Sequence, residues 1–137
     1  MGVMVFFDTN IFIYVVSAAP ADQRNSAIAQ RLMADSDFGL SVQILQEFMD
    51  VTLRKKHLGL TQEEIRDMVN LMAGYPLVET SVALARRAFE IKTCFDIRYW
   101  DASILAAAQE LGCHTLYSED LNHGQDYGGV RVLNPFR

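Results

Sequence analysis

The feature that most restricts this chain is the run Val3-Met4-Val5-Phe6-Phe7 and the three residues after it, Asp8-Thr9-Asn10. A continuous apolar run of β-branched and aromatic residues predicts a strand buried on both faces, since a strand with one wet face alternates instead. Asp-Thr-Asn then supplies turn and helix-cap chemistry at the carboxyl end of that strand. Ile11 to Val16 fits a short buried helix. Its β-branched content equally suits a second strand, making a hairpin around Asp-Thr-Asn, and the residues alone leave both open.

The remaining chain alternates short strand and helix signals. Asp22 to Ala34 predicts a helix with Ile28, Leu32 and Met33 on one side, and Phe38 to Ser41 a short strand. Gln43 to His57 predicts a clearer helix, with Ile44, Leu45, Phe48, Met49, Thr52 and Leu53 sharing a face and Gly59 stopping it. Thr61 and Glu64 form a capping box ahead of another helix, whose inner face is Ile65, Met68, Val69 and Met72. Leu77-Val78 suits a brief strand, Ser81 to Thr93 and Tyr99 to Leu111 two further helices, and Thr115-Leu116-Tyr117 and Val130 to Leu133 closing strands. That alternation implies an α/β domain with a mainly parallel sheet. No repeat, low-complexity tract or linker divides residues 1–137, so a single domain is expected.

Composition narrows the class. With 50% hydrophobic and 21% charged residues, the chain has the makings of a packed core and not of a disordered segment. A formal net charge of −5 argues against holding nucleic acid by bulk charge, though not against an enzyme whose metal ions supply positive charge locally. Cys94 and Cys113 have no metal-ligand spacing and suit a reducing compartment as small buried hydrophobes. The apolar N-terminal stretch is interrupted by Asp8 and lacks the basic start of a signal peptide, because no Lys or Arg precedes Arg24. A cytoplasmic protein without a membrane segment is the expectation.

The chemistry lies in the acids. Asp8 and the Ser118-Glu119-Asp120 run each follow a predicted strand, and in parallel sheets ligands bind outside the carboxyl ends of the strands. Taken singly, Asp8 and Asn10 read as turn or cap residues. Asp101 shares a helical stripe with Ile104, Leu105 and Ala108. A carboxylate on a core-facing stripe must be paired, capped, protonated or metal-bound, unless Asp101 is itself the N-cap of a helix starting at Ala102. Glu47 lies at the edge of the apolar face of its helix. Converging carboxylates repel and cannot all ionise without a cation. Oxygen-only donors favour Mg²⁺ or Mn²⁺ over zinc.

In combination these motifs resemble the PIN-domain family, over essentially the whole chain and in the family's order. They are Asp8-Thr9-Asn10 after an apolar strand, Glu47 in Ser-Val-Gln-Ile-Leu-Gln-Glu-Phe, Asp101 opening Asp-Ala-Ser-Ile-Leu-Ala-Ala-Ala, and Ser118-Glu119-Asp120-Leu121. The ending from Glu119 through Asn134-Pro135-Phe136 is similar to stand-alone bacterial VapC-type toxins. The resemblance implies a three-layer fold with a five-stranded parallel sheet flanked by helices, and favours the helix for residues 11–16. It implies Mg²⁺- or Mn²⁺-dependent endonuclease activity on RNA, with Asp8, Glu47 and Asp101 as metal ligands. Asp120 matches the fourth through a Thr-x-Asp pattern that here reads Ser118-x-Asp120, with Glu119 as its rival. Asn10 would orient Asp8 or the attacking water. A small antitoxin partner and a homodimer are further implications of the family.

Arg54-Lys55-Lys56-His57, Arg86-Arg87, Lys92 and Arg98 are basic residues available to RNA, although cations at a helix C-terminus are ordinarily solvated. Tyr14, Tyr99 and Trp100 have the faces to stack a base, but core packing is the plainer reading of each. His123 suggests no role. Three alternatives remain: a non-toxin processing nuclease, a degenerate module that binds without cutting, and a phospho-accepting receiver domain. The last needs a lysine after a late strand, and Lys55, Lys56 and Lys92 do not provide one.

Overall fold

The computed structural model describes residues 4–137. Val5–Phe7 form β1, and Val3 of the expected strand lies outside the described residues. The later elements are α1 (Thr9–Val16), α2 (Gln23–Asp35), β2 (Phe38–Ser41), α3 (Val42–Arg54), α4 (Gln62–Ala73), β3 (Leu77–Val78), α5 (Val82–Phe95), α6 (Tyr99–Glu110), β4 (Thr115–Tyr117) and β5 (Arg131–Leu133). The five strands lie in the order β3-β2-β1-β4-β5, and every neighbouring pair is parallel. Residues 11–16 are helical, and β1 pairs with β2 and β4, so no hairpin forms around Asp-Thr-Asn.

The order of strands explains where a ligand can lie. From β1 the chain winds outward through β2 to β3, then returns to place β4 on the other side of β1. The reversal falls between β1 and β4, and the crevice at such a switch point is open at the strands' carboxyl ends. β1 is central, with Phe6 and Phe7 fully buried. Phe7 stacks on Phe38 with ring centroids 4.6 Å apart and meets Phe12 and Tyr117 edge-on, both at 5.9 Å. Truncating a ring packed this way costs about 3–5 kcal/mol.

Helix α1 packs on both α2 and α3, α3 packs on α4, and α5 packs on α6. Helix α6 is buried along the whole of residues 101–108, not on one stripe. Its alanines make this possible, since small side chains let a helix press against both sheet and neighbour. Among the described residues, no helix is long and apolar enough to cross a membrane.

Three local expectations are corrected. The helix expected to reach His57 ends at Arg54, and a 3₁₀ turn at Lys56–Leu58 follows, with Gly59 at φ 77° closing that turn. Cys94 is exposed, whereas Cys113 is buried and its thiol is pushed up to about 11 by that burial. Trp100 is 61% exposed and does not join the core.

Candidate active site

Asp8 is the first residue past β1, and Ser118 the first past β4. The backbone pairing continues beyond the strands: Asp8 N–H donates to Tyr117 O at 3.0 Å, and Ser118 N–H to Leu133 O at 3.0 Å. Both side chains therefore emerge at the switch point. Ser118 Oγ donates to Asp8 Oδ2 at 2.6 Å and accepts the Asp120 N–H at 3.1 Å. Asp8 is also the N-cap of α1, its Oδ1 accepting the Thr9 N–H at 2.6 Å. Asp8 thus fills the helix-cap role that its sequence context suggests.

Burial dominates the electrostatics of Asp8, which is 4% exposed. Desolvation pushes its pKa from 3.8 up to about 7, against the hydrogen bonds from Ser118 and Thr9 that favour the charged form; Asp120 and Glu47 add smaller repulsions in the same direction as burial. Asp120, at the cavity mouth, is raised by desolvation and then by Asp101, while Arg98 and Asn10 pull the other way.

Helix α3 brings Glu47 across to α1, where Thr9 Oγ1 donates to Glu47 Oε1 at 2.7 Å. Asn10 Nδ2 donates to Asp120 Oδ2 at 3.3 Å. Asp101 is buried in the first turn of α6, whose N-cap is Arg98, so it is not the cap residue of a helix starting at Ala102. Its two oxygens accept from Arg98 Nη2 and Nε, each at 3.1 Å. Asp8, Asn10, Glu47, Asp101 and Asp120 all line one cavity of about 330 Å³, together with Thr9 and Arg98. Glu119 faces elsewhere: both its oxygens accept from Tyr14 OH, at 3.0 and 3.2 Å, and it lines a neighbouring cavity of about 240 Å³.

Among the described residues, no three His, Cys, Asp or Glu side chains are gathered so as to hold an ion as they stand. In this arrangement Glu47 is bound to Thr9, Asp101 to Arg98 and Asp120 to Asn10. The donor set still fits a hard divalent ion: every acid on the cavity offers carboxylate oxygen. Asn10 Oδ1 adds to the fit, being a buried side-chain oxygen with no hydrogen-bond partner.

Thr9, Asp50, Arg54 and Arg98 also line this cavity, though the sequence motifs assign none of them to it. Thr9 was quoted only as part of a turn, and its bond to Glu47 depends on α1 lying against α3. Arg98 was noted as one basic residue among several, yet its spacing of three from Asp101 is the spacing at which helix-surface charges meet. Of the other basic residues, Arg54 lines the acid cavity, Lys55 and His57 line the neighbouring one, Arg87 pairs with Glu90 at 2.8 Å, and Lys92 with Asp96 at 3.5 Å. His123 Nδ1 accepts the Asn134 N–H at 2.9 Å, a structural bond.

The family model of the PIN domain matches residues 5–125, and the chain belongs to that family. No curated protein matches it by sequence. Among solved structures, it resembles a chain of a toxin-antitoxin complex from Klebsiella pneumoniae with a TM-score of 0.69 and 19% identity, covering 96% of this chain and 97% of that one. VapC20 of Mycobacterium tuberculosis, described as a sarcin-ricin loop cleaving toxin, matches with a TM-score of 0.66 and 18% identity, over 85% of this chain and 89% of that one. A chain of FitAcB from Neisseria gonorrhoeae matches with a TM-score of 0.66 and 18% identity, over 97% and 99%. At these identities the likeness is one of fold.

Proposed function

We propose that this protein is a divalent-metal-dependent endoribonuclease and the toxin of a toxin-antitoxin pair. The observation that carries the proposal is the acid cavity at the sheet's switch point, where Asp8, Glu47, Asp101 and Asp120 arrive from four separate segments of chain. Asp8, Glu47 and Asp120, with Asn10 Oδ1, would hold Mg²⁺ or Mn²⁺, and Asp101 would join them on release from Arg98. When bound, such an ion supplies Lewis-acid stabilisation of the charge that builds on a phosphodiester under in-line attack. Ser118 and the Thr9 N–H hold the Asp8 carboxylate in one orientation, and Thr9 Oγ1 does the same for Glu47. Asn10 orients Asp120.

RNA as substrate is supported by the relative described as cleaving the sarcin-ricin loop. An antitoxin partner is supported by the toxin-antitoxin complex among the structural neighbours. That neighbourhood also favours a toxin over a processing nuclease of the same fold, and the filled acid positions favour catalysis over a module that only binds. A homodimer is part of the proposal, with Val82 and Phe89, 68% and 64% exposed on α5, as apolar surface for it. Light scattering on the purified chain tests it.

The decisive experiment uses purified protein on RNA oligonucleotides with Mg²⁺ or Mn²⁺. Wild type cleaves, EDTA stops cleavage, and Asp8→Asn lowers the rate by about a thousandfold, the scale for losing an electrostatic stabiliser. Equal cleavage by folded Asp8→Asn would remove the assignment.

A further inference from the structure

The best-organised ion pair in the acid cavity joins Arg98 to Asp101. Arg98 grips both oxygens of Asp101 at 3.1 Å, the planar fork of a guanidinium matching the carboxylate edge. The two partners differ sharply in exposure: the Asp101 side chain is 9% exposed and that of Arg98 75%. A buried carboxylate needs a counter-charge. A solvated guanidinium, by contrast, leaves its partner at little cost, because water takes its place. Arg98 lines the same cavity as Asp8, Glu47 and Asp120, and it also feels the negative charge of Asp120 and Glu47.

We infer that Arg98 is an exchangeable counter-ion for Asp101, which a divalent cation displaces and which then becomes a ligand for RNA phosphate. The inference rests on the proposed metal-dependent nuclease. Its physical basis is that a dication and a guanidinium on one carboxylate repel each other, so occupation by one weakens the other. Once displaced, the fork stands at the rim of the cavity with its donors unpaired, suited to bidentate contact with phosphate oxygens. The exchange keeps Asp101 neutralised before an ion arrives. It also couples metal binding to the appearance of a substrate-binding cation.

The test is Mn²⁺ affinity by calorimetry on RNA-free protein, for wild type, Arg98→Gln, Arg98→Lys and Asp101→Asn. Arg98→Gln is expected to bind Mn²⁺ about tenfold more tightly than wild type, the scale of one charge-assisted hydrogen bond. Arg98→Lys is expected to fall between them, because lysine keeps the charge and loses the fork. On adding diamagnetic Mg²⁺ to wild type, the Nε–H signal of Arg98 in the nitrogen-15 spectrum should move. If Arg98→Gln binds no more tightly than wild type while Asp101→Asn binds more weakly, the exchange is wrong and the metal site stands. If Arg98→Lys matches wild type while Arg98→Gln is tighter, a general field is at work and the exchange is again wrong. If wild type and Asp101→Asn bind alike, or neither binds, Asp101 is no metal ligand and both readings fall.

Discussion

Ser118 ties two strands together through its side chain: its hydroxyl donates to Asp8 Oδ2 at 2.6 Å across the β1–β4 junction, and its oxygen takes the Asp120 N–H. Ser118 is fully buried. Ser118→Ala therefore leaves a buried carboxylate short of a donor and a backbone N–H short of an acceptor. The expected loss of stability is about 1–3 kcal/mol, with the Asp8 pKa moving further up. Ser118→Thr keeps both bonds and is expected to retain most activity. Urea melts and pH-rate profiles of the two variants check this, and equal effects of Ala and Thr would place the cost in packing instead.

Asp8 makes metal-free stability depend on pH. Its folded pKa of about 7 lies above the reference value of 3.8, so the folded state holds its proton longer than the unfolded state does. The associated stability is complete below about pH 4 and is lost as pH rises through about 7. Asp8→Asn has no charge to desolvate. In EDTA the variant is expected to gain on wild type between pH 4 and 8, by about 2 kcal/mol or more. Comparing the two proteins at each pH cancels the other titrating groups. A difference that stays constant with pH would contradict the burial argument.

Asp101 and Asp120 line the same cavity, and the Asp101 charge helps to raise the Asp120 pKa. Removing the Asp101 charge is expected to lower the pKa of Asp120, since Asp101 is one of the causes raising it. Carbon-13 titration of the carboxyl signals in wild type and Asp101→Asn measures this directly. The cost in stability in EDTA should stay within about 1 kcal/mol, because the partner lost, Arg98, is largely exposed. A fall of several kcal/mol would mean that Asp101 has a structural duty beyond this pair.

A packing prediction lies away from the acids. A Cβ on Gly39 would overlap Leu111 Cδ2 and stand 3.1 Å from Pro76 O. Leu111 can turn aside. The Pro76 carbonyl is held in place by the Leu40 N–H at 3.0 Å. Gly39→Ala should therefore destabilise by about 1–3 kcal/mol, read as a lower urea midpoint with unchanged slope. An unaltered midpoint would show that β2 and β3 separate more easily than this register implies.

What the sequence disclosed follows a physical division. β1 was legible because a strand buried on both faces must be apolar throughout, and its end therefore located Asp8. Ser118 and Asp120 were legible because they follow the short strand signal of Thr115-Leu116-Tyr117. Asp101 was correctly placed in the interior, but by an argument from one stripe, whereas α6 is buried all round and the stripe alone decided nothing. The Thr9–Glu47 bond joins residues 38 apart and exists only because α1 lies against α3, a fact of tertiary packing that no local pattern carries. Arg98 was within reach, since it needed only the spacing of a single helical turn. The end of α3 was misjudged because Gly59 terminates a 3₁₀ turn that lies beyond the α-helix.

The bond between Ser118 and Asp8 spans 110 residues of chain, so it has a meaning for synthesis as well as for shape. Helices can form as they emerge, while contacts between distant residues wait for the later one. A polypeptide halted between Asp101 and Ser118 carries Asp8, Glu47 and Asp101, yet it has no β1–β4 junction for them to gather around. Prematurely terminated chains would thus lack the proposed cutting centre, because its assembly waits until β4 is in place.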